Sequence, residues 1–394
     1  MLLYWLWLTL LDKLSKKQKL VLVQHFSDME TLYNCTDFSD LGLTAEQIDQ
    51  LQNKDLTGAK NLKKQCEKKD IGILTLLDKK YPARLRNISD PPLVLYYKGV
   101  LPDFDKKPAI AVVGTRKATS YGIAAARQFG GELSSQGGIV VSGGASGVDT
   151  MALQGALNAG GQTVAVLGCG VDVVYPRNNR RLFMQIQEQG CLVSEYLPGT
   201  GPKSWQFPER NRIISGLSNG VLVIEAPEKS GALITARDAL EQGRDVYAVP
   251  ANIDMPTCVG SNALLDEGAV AAVSGWHIMR QYAAQYPDAV SQNPQPEKKE
   301  CKLAQPVQKP EPDKKDIDNP ANNSYSVKND GPGAPSSREQ MILDKLDHTP
   351  RAMDEVVSQL DIPCGEVMKL LTKLTLQGKV ITHPGGMISK SRIN

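Results

Sequence analysis

Hydrophobic residues between positions 108 and 275 fall into short, β-branched runs that are separated by longer amphipathic stretches. The runs predict strands near 109–113, 139–142, 163–167, 191–194, 221–224 and 245–249, with a helix in each gap. Short buried strands that alternate with helices form parallel sheets with both faces covered. The region 108–284 is therefore predicted to be an α/β domain with a doubly wound, mostly parallel sheet.

The residues before this region follow a different pattern. Residues 1–75 show helical periodicity and predict a small helical domain, with helices near 2–11, 16–25, 28–33, 45–52 and 57–69. The first of these is apolar but too short to span a bilayer, so we expect it to be buried. Residues 76–107 are predicted to be an extended connector that joins the sheet, with a strand at 93–97.

The C-terminal part of the chain divides into a linker and a third domain. Residues 285–335 contain nine of the 24 prolines and no Phe or Trp, which predicts a flexible linker. Residues 336–394 predict three helices and a hairpin, the pattern of a winged helix. An apolar stripe on the third helix is formed by Val367, Leu370, Leu371 and Leu374, whereas Lys369 and Lys373 lie off it and would face DNA or a protein partner.

Composition narrows the classes of function. The 394 residues carry a net charge of only +2, so a nucleic-acid site has to be a local patch of charge. The seven cysteines include no C-x-x-C pair, and the four histidines are scattered. We therefore expect no disulfide framework, metal site or cofactor, and a cytoplasmic location.

Candidate chemistry lies where two predicted strands end. Arg116 follows the first strand, and the glycine-rich segment 142–149 follows the second and leads into a helix. Ligands of parallel sheets bind beyond the carboxyl ends of the strands, and free amides at a helix N-terminus bind anions such as phosphate. A guanidinium group suits phosphate oxygens. The alternative is a tight turn that binds nothing, since the dinucleotide fingerprint and the P-loop motif are both absent.

The loop at 195–212 mixes cations with aromatic rings. Lys203, Arg210 and Arg212 alternate there with Trp205 and Phe207. Cations that follow phosphates and rings on which bases stack are typical of sites for single-stranded nucleic acid. The alternative for either ring is a place in the hydrophobic core.

Five motifs resemble one family. They are VGTR (113–116), SGGASGVD (142–149), GVDVVYP (170–176), FPERNRIISG (207–216) and SGALITA (230–236). In this order they resemble the DNA-processing protein A family, also called DprA or Smf. The resemblance implies an extended Rossmann fold that binds single-stranded DNA, forms a homodimer and loads the RecA recombinase during natural transformation. It implies neither catalysis nor a membrane partner.

The resemblance also implies a set of DNA-binding residues. Arg116 and the backbone of the glycine turn would hold phosphates, Phe207 would stack a base, and residues 260–275 resemble a self-association region. The complete implied set is Arg116, Ser142, Gly143, Gly144, Ser146, Lys203, Phe207, Arg210 and Asn211.

Two other functions are compatible with the residues. A nucleotide-processing enzyme would need a carboxylate in the pocket, and Asp149, Asp172, Glu195 and Glu225 all lie near strand ends. A duplex-binding regulator would instead use the winged helix, with the Rossmann-like domain as a sensor.

Overall fold

The computed structural model describes residues 1–290, 337–347, 349, 351–360, 364–383 and 387–391. They fall in two compact units, Met1–Leu303 and Ala304–Asn394. Within these described ranges, no helix has both the length and the apolar character needed to cross a membrane.

The first unit begins with five helices close to the predicted ones. They are α1 (Leu2–Leu10), α2 (Lys16–His25), α3 (Met29–Asn34), α4 (Ala45–Gln52) and α5 (Thr57–Lys68). Ser15 and Thr44 form capping boxes with Gln18 and Gln47, which explains where α2 and α4 begin. Trp5, Leu6, Trp7 and Leu8 are buried, so the prediction of a buried first helix is confirmed.

A nine-stranded sheet forms the centre of this unit. Its strands are β1 (Gly72–Thr75), β2 (Val94–Gly99), β3 (Ala109–Val113), β4 (Ile139–Ser142), β5 (Thr163–Val166), β6 (Cys191–Ser194), β7 (Gly220–Val223), β8 (Asp245–Ala248) and β9 (Val270–Ala271). The six strands predicted for 108–284 are confirmed to within one residue at each end. The connector contributes β1 and β2, which pair antiparallel with each other, and β2 pairs antiparallel with β6.

The order of the strands fixes where a ligand can bind. The sheet runs β1-β2-β6-β5-β4-β3-β7-β8-β9 and is parallel from β6 to β9. In the parallel part of the sheet, β3 is the first strand in sequence. The chain then places β4, β5 and β6 on one side of it and crosses back to place β7 and β8 on the other side. The crevice between the carboxyl ends of β3 and β7 is the topological switch point, the usual ligand site of such sheets.

The remaining helices of the first unit cover the sheet. They are α6 (Ala83–Arg86), α7 (Ser120–Ser135), α8 (Val148–Asn158), α9 (Arg180–Gln189), α10 (Gln206–Gly216), α11 (Gly231–Glu241), α12 (Val259–Asp266) and α13 (Gly275–Met279). Helices α7 and α8 pack closely because a Cβ at Gly130 or Gly155 would lie only 2.1 Å from a backbone oxygen of the facing helix.

Two hydrophobic clusters hold these layers together. One is continuous from the N-terminal helices to one face of the sheet, so the helical segment predicted for 1–75 shares its core with the Rossmann-like region. The other lies between the opposite face and α7, α8, α9 and α13. Tyr286 and Val290 are buried in it, so the packed chain extends into the start of the predicted linker. The rest of that linker, 291–335, lies outside the described residues.

The second unit is a winged helix, as predicted. It contains α14 (Ser337–Lys345), β10 (Arg351–Ala352), α15 (Met353–Ser358), α16 (Cys364–Leu376), β11 (Val380–His383) and β12 (Met387–Lys390), with sheet order β10-β12-β11. Val367, Leu371 and Leu374 are buried, which confirms the apolar stripe on α16. Lys369 is exposed, whereas Lys373 pairs with Glu339 at 2.8 Å.

Candidate nucleic-acid interface

A cleft of about 620 Å³ opens at the topological switch point. The loop after β3, the start of α10 and the N-terminus of α11 line it, and the amide of Thr115 donates to the carbonyl of Glu225 (2.8 Å) across its base. Its charged lining residues are Arg116, Lys117, Asp149, Arg210 and Lys229. Four cations against one carboxylate give the cleft a positive potential that attracts anions.

The glycine turn after β4 brings two charged groups together. A Cβ at Gly143 would lie 2.7 Å from both Nη2 of Arg210 and Oδ2 of Asp149, so only glycine allows both side chains to approach the backbone there. Gly144 and Gly147 have φ angles of +65° and +82°, which L-residues with side chains rarely adopt. The glycines therefore shape the turn around two buried side chains of opposite charge.

Part of the turn already holds an anion of the protein itself. Oδ2 of Asp149 accepts a hydrogen bond from the amide of Ala145 (3.3 Å), and the Gly143 amide also stabilises this carboxylate. Burial raises the pKa of Asp149 to about 6, although Arg210, these amides and Arg116 act in the opposite direction. The amides at Gly143 and Ala145 thus face the Asp149 carboxylate of the protein itself.

Arg210 is almost fully buried at the base of the cleft. Its Nη1 donates to the carbonyl of Gly143 (2.7 Å) and to that of Val166, which fixes the plane of the guanidinium. Burial lowers its pKa to about 10, so the group is still charged at neutral pH. Within the described chain, its Nε has no hydrogen-bond partner.

Three side chains form a row along the rim. The rings of Phe207 and Tyr175 stack at 5.5 Å with an interplanar angle of 29°, and the Arg116 guanidinium lies 5.3 Å from the centre of the Phe207 ring. Phe207 is half-buried, whereas Tyr175 is 40% exposed. Trp205 is 52% exposed and meets Tyr196 edge-on, so it is not a core residue.

The structure brings most of the predicted site residues together. A pocket of about 50 Å³ beside the cleft is lined by Arg116, Gly143, Gly144, Ser146, Phe207 and Arg210, among others. Asn211 lines the larger cleft and donates to the carbonyl of Gly231 (3.1 Å).

Two predicted residues lie apart from these pockets. Ser142, whose backbone was predicted to hold a phosphate, lines neither pocket; its side chain is fully buried and its hydroxyl donates to the carbonyl of Val112 (2.7 Å). Lys203 is exposed on the loop before α10, outside the lining of both pockets.

Comparison with known proteins identifies the family. The model of a family described as DNA recombination-mediator protein A matches residues 72–283, more than half of the chain. The chain belongs to this family. A second model, the DprA winged helix domain, matches residues 328–386.

Individual members of the DprA family show the same relationship. The DNA processing protein DprA of Bacillus subtilis is 42% identical over 211 residues, which cover 54% of this chain and 71% of the relative. A solved structure of DprA from Streptococcus pneumoniae is 35% identical with a TM-score of 0.57, over 70% of this chain and 95% of that one. A structure of DNA processing protein A from Helicobacter pylori is 29% identical with a TM-score of 0.50, over 55% and 97% of the two chains.

Three of the four carboxylates that an enzyme would need form hydrogen bonds or ion pairs within this DprA family member. Glu225 accepts from the amide of Thr119 (2.9 Å) at the start of α7, and Asp172 accepts from the amide of Gly199 (2.7 Å) and pairs with Lys69. Glu195 is paired with Arg212 at 2.8 Å. Asp149 is the one of the four that lines the cleft.

Three residues of this interface were absent from the predicted set: Lys117, Tyr175 and Lys229. Each lies beside or inside a motif that marked the DprA family, since Lys117 follows Arg116 and Lys229 precedes the motif at 230–236. Lys117 and Lys229 line the cleft, and Tyr175 stacks on Phe207. The signal that could have found them is position, since each lies in a loop that follows the carboxyl end of a parallel strand: β3, β5 and β7 respectively.

Proposed function

We propose that the protein binds single-stranded DNA along the cleft and acts as a recombination mediator that loads RecA onto the strand during natural transformation. The observation that carries this proposal is the combination of four cations with stacked rings at the switch point. Cations neutralise phosphates, and aromatic rings accept unpaired bases, which a duplex keeps hidden in its own stack. The Helicobacter pylori relative supports it, since its structure is described by its single-stranded DNA binding mode.

Within this proposal, the predicted residues have distinct roles. Arg116, with Lys117 and Lys229, neutralises phosphates at the rim. Arg210 contributes its charge from below while it fixes the glycine turn, and Phe207 supports a base. Lys203 would contact DNA only where the strand leaves the cleft, because it lies outside the pocket lining.

The proposed partners are RecA and a second copy of the chain. The family description as a recombination mediator supports RecA loading. Self-association through 260–275 is supported by hydrophobic side chains that lie exposed in and beside that segment: Val259 (45%), Val270 (40%) and Val273 (69%). These roles belong in the cytoplasm, where incoming strands meet RecA.

The test compares the full chain with single- and double-stranded oligonucleotides of one sequence, by fluorescence anisotropy at two salt concentrations. We expect preference for the single strand and an affinity that falls steeply with salt. Preference for the duplex would favour the regulator, and hydrolysis of a nucleoside phosphate would favour the enzyme. RecA loading is tested by the rate of RecA filament formation on strands coated with single-strand binding protein, with and without this protein.

A further inference from the structure

We propose that the bound strand continues beyond the cleft, over Tyr175, onto a surface that we call the arginine ridge: Arg177, Arg180 and Arg181. This proposal rests on the proposed function, because it extends the path of the same single strand. It assigns a base-stacking role to Tyr175 and phosphate contacts to the three arginines.

The arginine ridge carries charge that the described protein does not neutralise. All three side chains are exposed, and among the described residues none makes an ion pair or a side-chain hydrogen bond. In contrast, the partly buried Arg84, Arg86 and Arg212 each donate to several acceptors of the fold. Three cations without an internal partner favour an external anion.

Local structure does not explain these cations either. Arg180 and Arg181 are the first two residues of α9, whose first turn contains no acidic residue. The N-terminus of a helix carries a partial positive charge that disfavours further cations. The sequence therefore places arginines where the helix itself is destabilised by them, which is expected when they serve a ligand.

The ridge is fastened to the glycine turn of the cleft. Buried Asn179 donates to the carbonyl of Gly144 (2.9 Å) and to the hydroxyl of Thr150 (2.8 Å). Phe183, one turn into α9, packs so closely on the turn that a Cβ at Gly144 would lie 2.9 Å from its ring. The start of α9 is thus held beside the pocket.

Tyr175 connects the two surfaces. It lines the cleft and the smaller pocket, stacks on Phe207, and is followed by Pro176 in the pocket wall and by Arg177 on the ridge. Phe207 already contacts Tyr175 and the Arg116 guanidinium, so the 40% exposed ring of Tyr175 offers the more accessible surface for a base.

A nucleic-acid strand fits this surface better than an acidic protein segment. An acidic segment would use only the arginines. The exposed ring of Tyr175 lines the cleft and lies two residues before Arg177, an arrangement that suits the alternating bases and phosphates of a single strand. Because Asn179 and Phe183 hold the start of α9 against the glycine turn of the cleft, one strand would be able to use both surfaces.

The test removes the charge of the ridge in the full chain with the triple variant Arg177→Gln, Arg180→Gln and Arg181→Gln. A matched control removes three exposed lysines of α5, Lys60→Gln, Lys64→Gln and Lys68→Gln, so that both variants lose the same net charge. Affinity for oligo(dT) is measured against length and salt. Loss of three phosphate contacts should reduce the slope of log K against log salt by about 2 in the ridge variant and little in the control.

The length series separates the ridge from the cleft. We expect the ridge variant to match wild type on the shortest oligonucleotides that bind and to gain less affinity as length increases. We also expect Tyr175→Ala to weaken binding and Tyr175→Phe to retain it, with thermal melting of all variants close to wild type. A ridge variant with the wild-type slope and length dependence would overturn the proposal, provided that Arg116→Ala weakens binding. If Arg116→Ala also binds normally, it is the proposed function of the cleft that fails.

Discussion

Two clusters of charge lie at the same edge of the sheet and behave in opposite ways. After β6, Glu195 forms a bidentate pair with Arg212 (2.8 and 2.9 Å), Arg212 also donates to Asp90 (3.0 Å), and Lys16 completes the set at 3.1 Å. We call these four residues the Glu195 network. After β3 and before α11, Arg116, Lys117 and Lys229 line an open cleft, and no ion pair of theirs appears among the described residues.

The comparison shows that pairing, more than residue type, separates structural from ligand-binding charge. Burial would raise the pKa of Glu195, but Arg212 and Lys16 outweigh it and lower that pKa, so the carboxylate is held in its charged form. Arg212 is largely buried, with 14% of its side chain exposed. The Glu195 network therefore joins the N-terminal helices to the sheet, whereas Arg116, Lys117 and Lys229 have no ion-pair partner among the described residues.

The largest expected effect is the loss of stability caused by Arg212→Ala. Arg212→Ala would leave Glu195 buried with only Lys16 as a partner, and breaking a buried ion pair costs about 3–5 kcal/mol in the free energy of unfolding. Chemical denaturation monitored by circular dichroism measures the loss. The affinity of the folded fraction for single-stranded DNA should be unchanged.

Arg237→Ala is the matched control, because Arg237 is exposed on α11. A surface substitution of this kind is expected to change stability by no more than about 0.5 kcal/mol. If Arg212→Ala also changed the free energy of unfolding by no more than this, the Glu195 network would not stabilise the fold, and it would not differ from the cleft in the way described.

Arg116→Ala tests the other cluster and should show the reverse pattern. Loss of one charge-assisted contact to a phosphate is expected to weaken single-strand binding by about 2 kcal/mol, roughly thirtyfold, with stability unchanged because Arg116 is exposed. Since phosphates carry no sequence information, the loss should be equal for oligonucleotides of different base composition. A loss confined to particular bases would assign Arg116 to base recognition instead.

Most of the fold could be predicted because local pattern determines it. The runs at 109–113, 139–142 and 191–194 are apolar except for a final serine in the last two, every residue in them is buried, and their bounds match the structure. Strand β1 was not predicted, because it lies at the edge of the sheet and begins with the partly buried Gly72 and Ile73, so it lacks the continuous apolar pattern of the central strands. The shared core of the N-terminal helices and the sheet depends on contacts between distant residues, which periodicity does not show.

The site was predicted less completely, for a physical reason. Arg116 and the glycine turn were predicted to lie close together because both follow parallel strands, and the structure places them at one pocket. Which partner each charge takes is a tertiary property. Arg212 was grouped with the DNA-facing cations, yet it pairs with Glu195, and Arg210 is buried beneath the turn that it stabilises.

Phe207 provides a smaller test of the cleft. Phe207→Ala should weaken binding by about 1 kcal/mol, the lower end of the range for base stacking, because the ring is only half-exposed. Phe207→Tyr keeps an aromatic ring and should cost little. Anisotropy with oligo(dT) measures affinity, and thermal melting measures stability. Equal losses of affinity for both variants, together with lower melting temperatures, would assign Phe207 to the core beneath Tyr175.

Asp149 gives the smallest effect, because it is the one acidic group in the cation-rich cleft. Its pKa in the folded state is about 6, above the ordinary value of an aspartate, so the folded protein holds this proton more tightly than the unfolded chain. Protonation of Asp149 therefore stabilises the fold. That contribution is complete below about pH 4 and is lost as the pH rises through about 6.

DNA binding should follow the same titration. Above pH 6 the Asp149 carboxylate offsets the charge of Arg210 and Arg116, and below it the neutral acid does not, so affinity for a single strand should rise as the pH falls from 7.5 to 5.5. If bound DNA raises the pKa of Asp149 by one unit, the gain is about tenfold, or about 1.4 kcal/mol. Asp149→Asn keeps an acceptor for the Ala145 amide and should bind more tightly than wild type at pH 7.5, with a flatter pH profile in anisotropy measurements. The two proteins share every other ionisable group, so the difference between their profiles reports on Asp149. Identical profiles would mean that Arg210 already neutralises Asp149 fully, and that the cleft, like the Glu195 network, contains a closed ion pair.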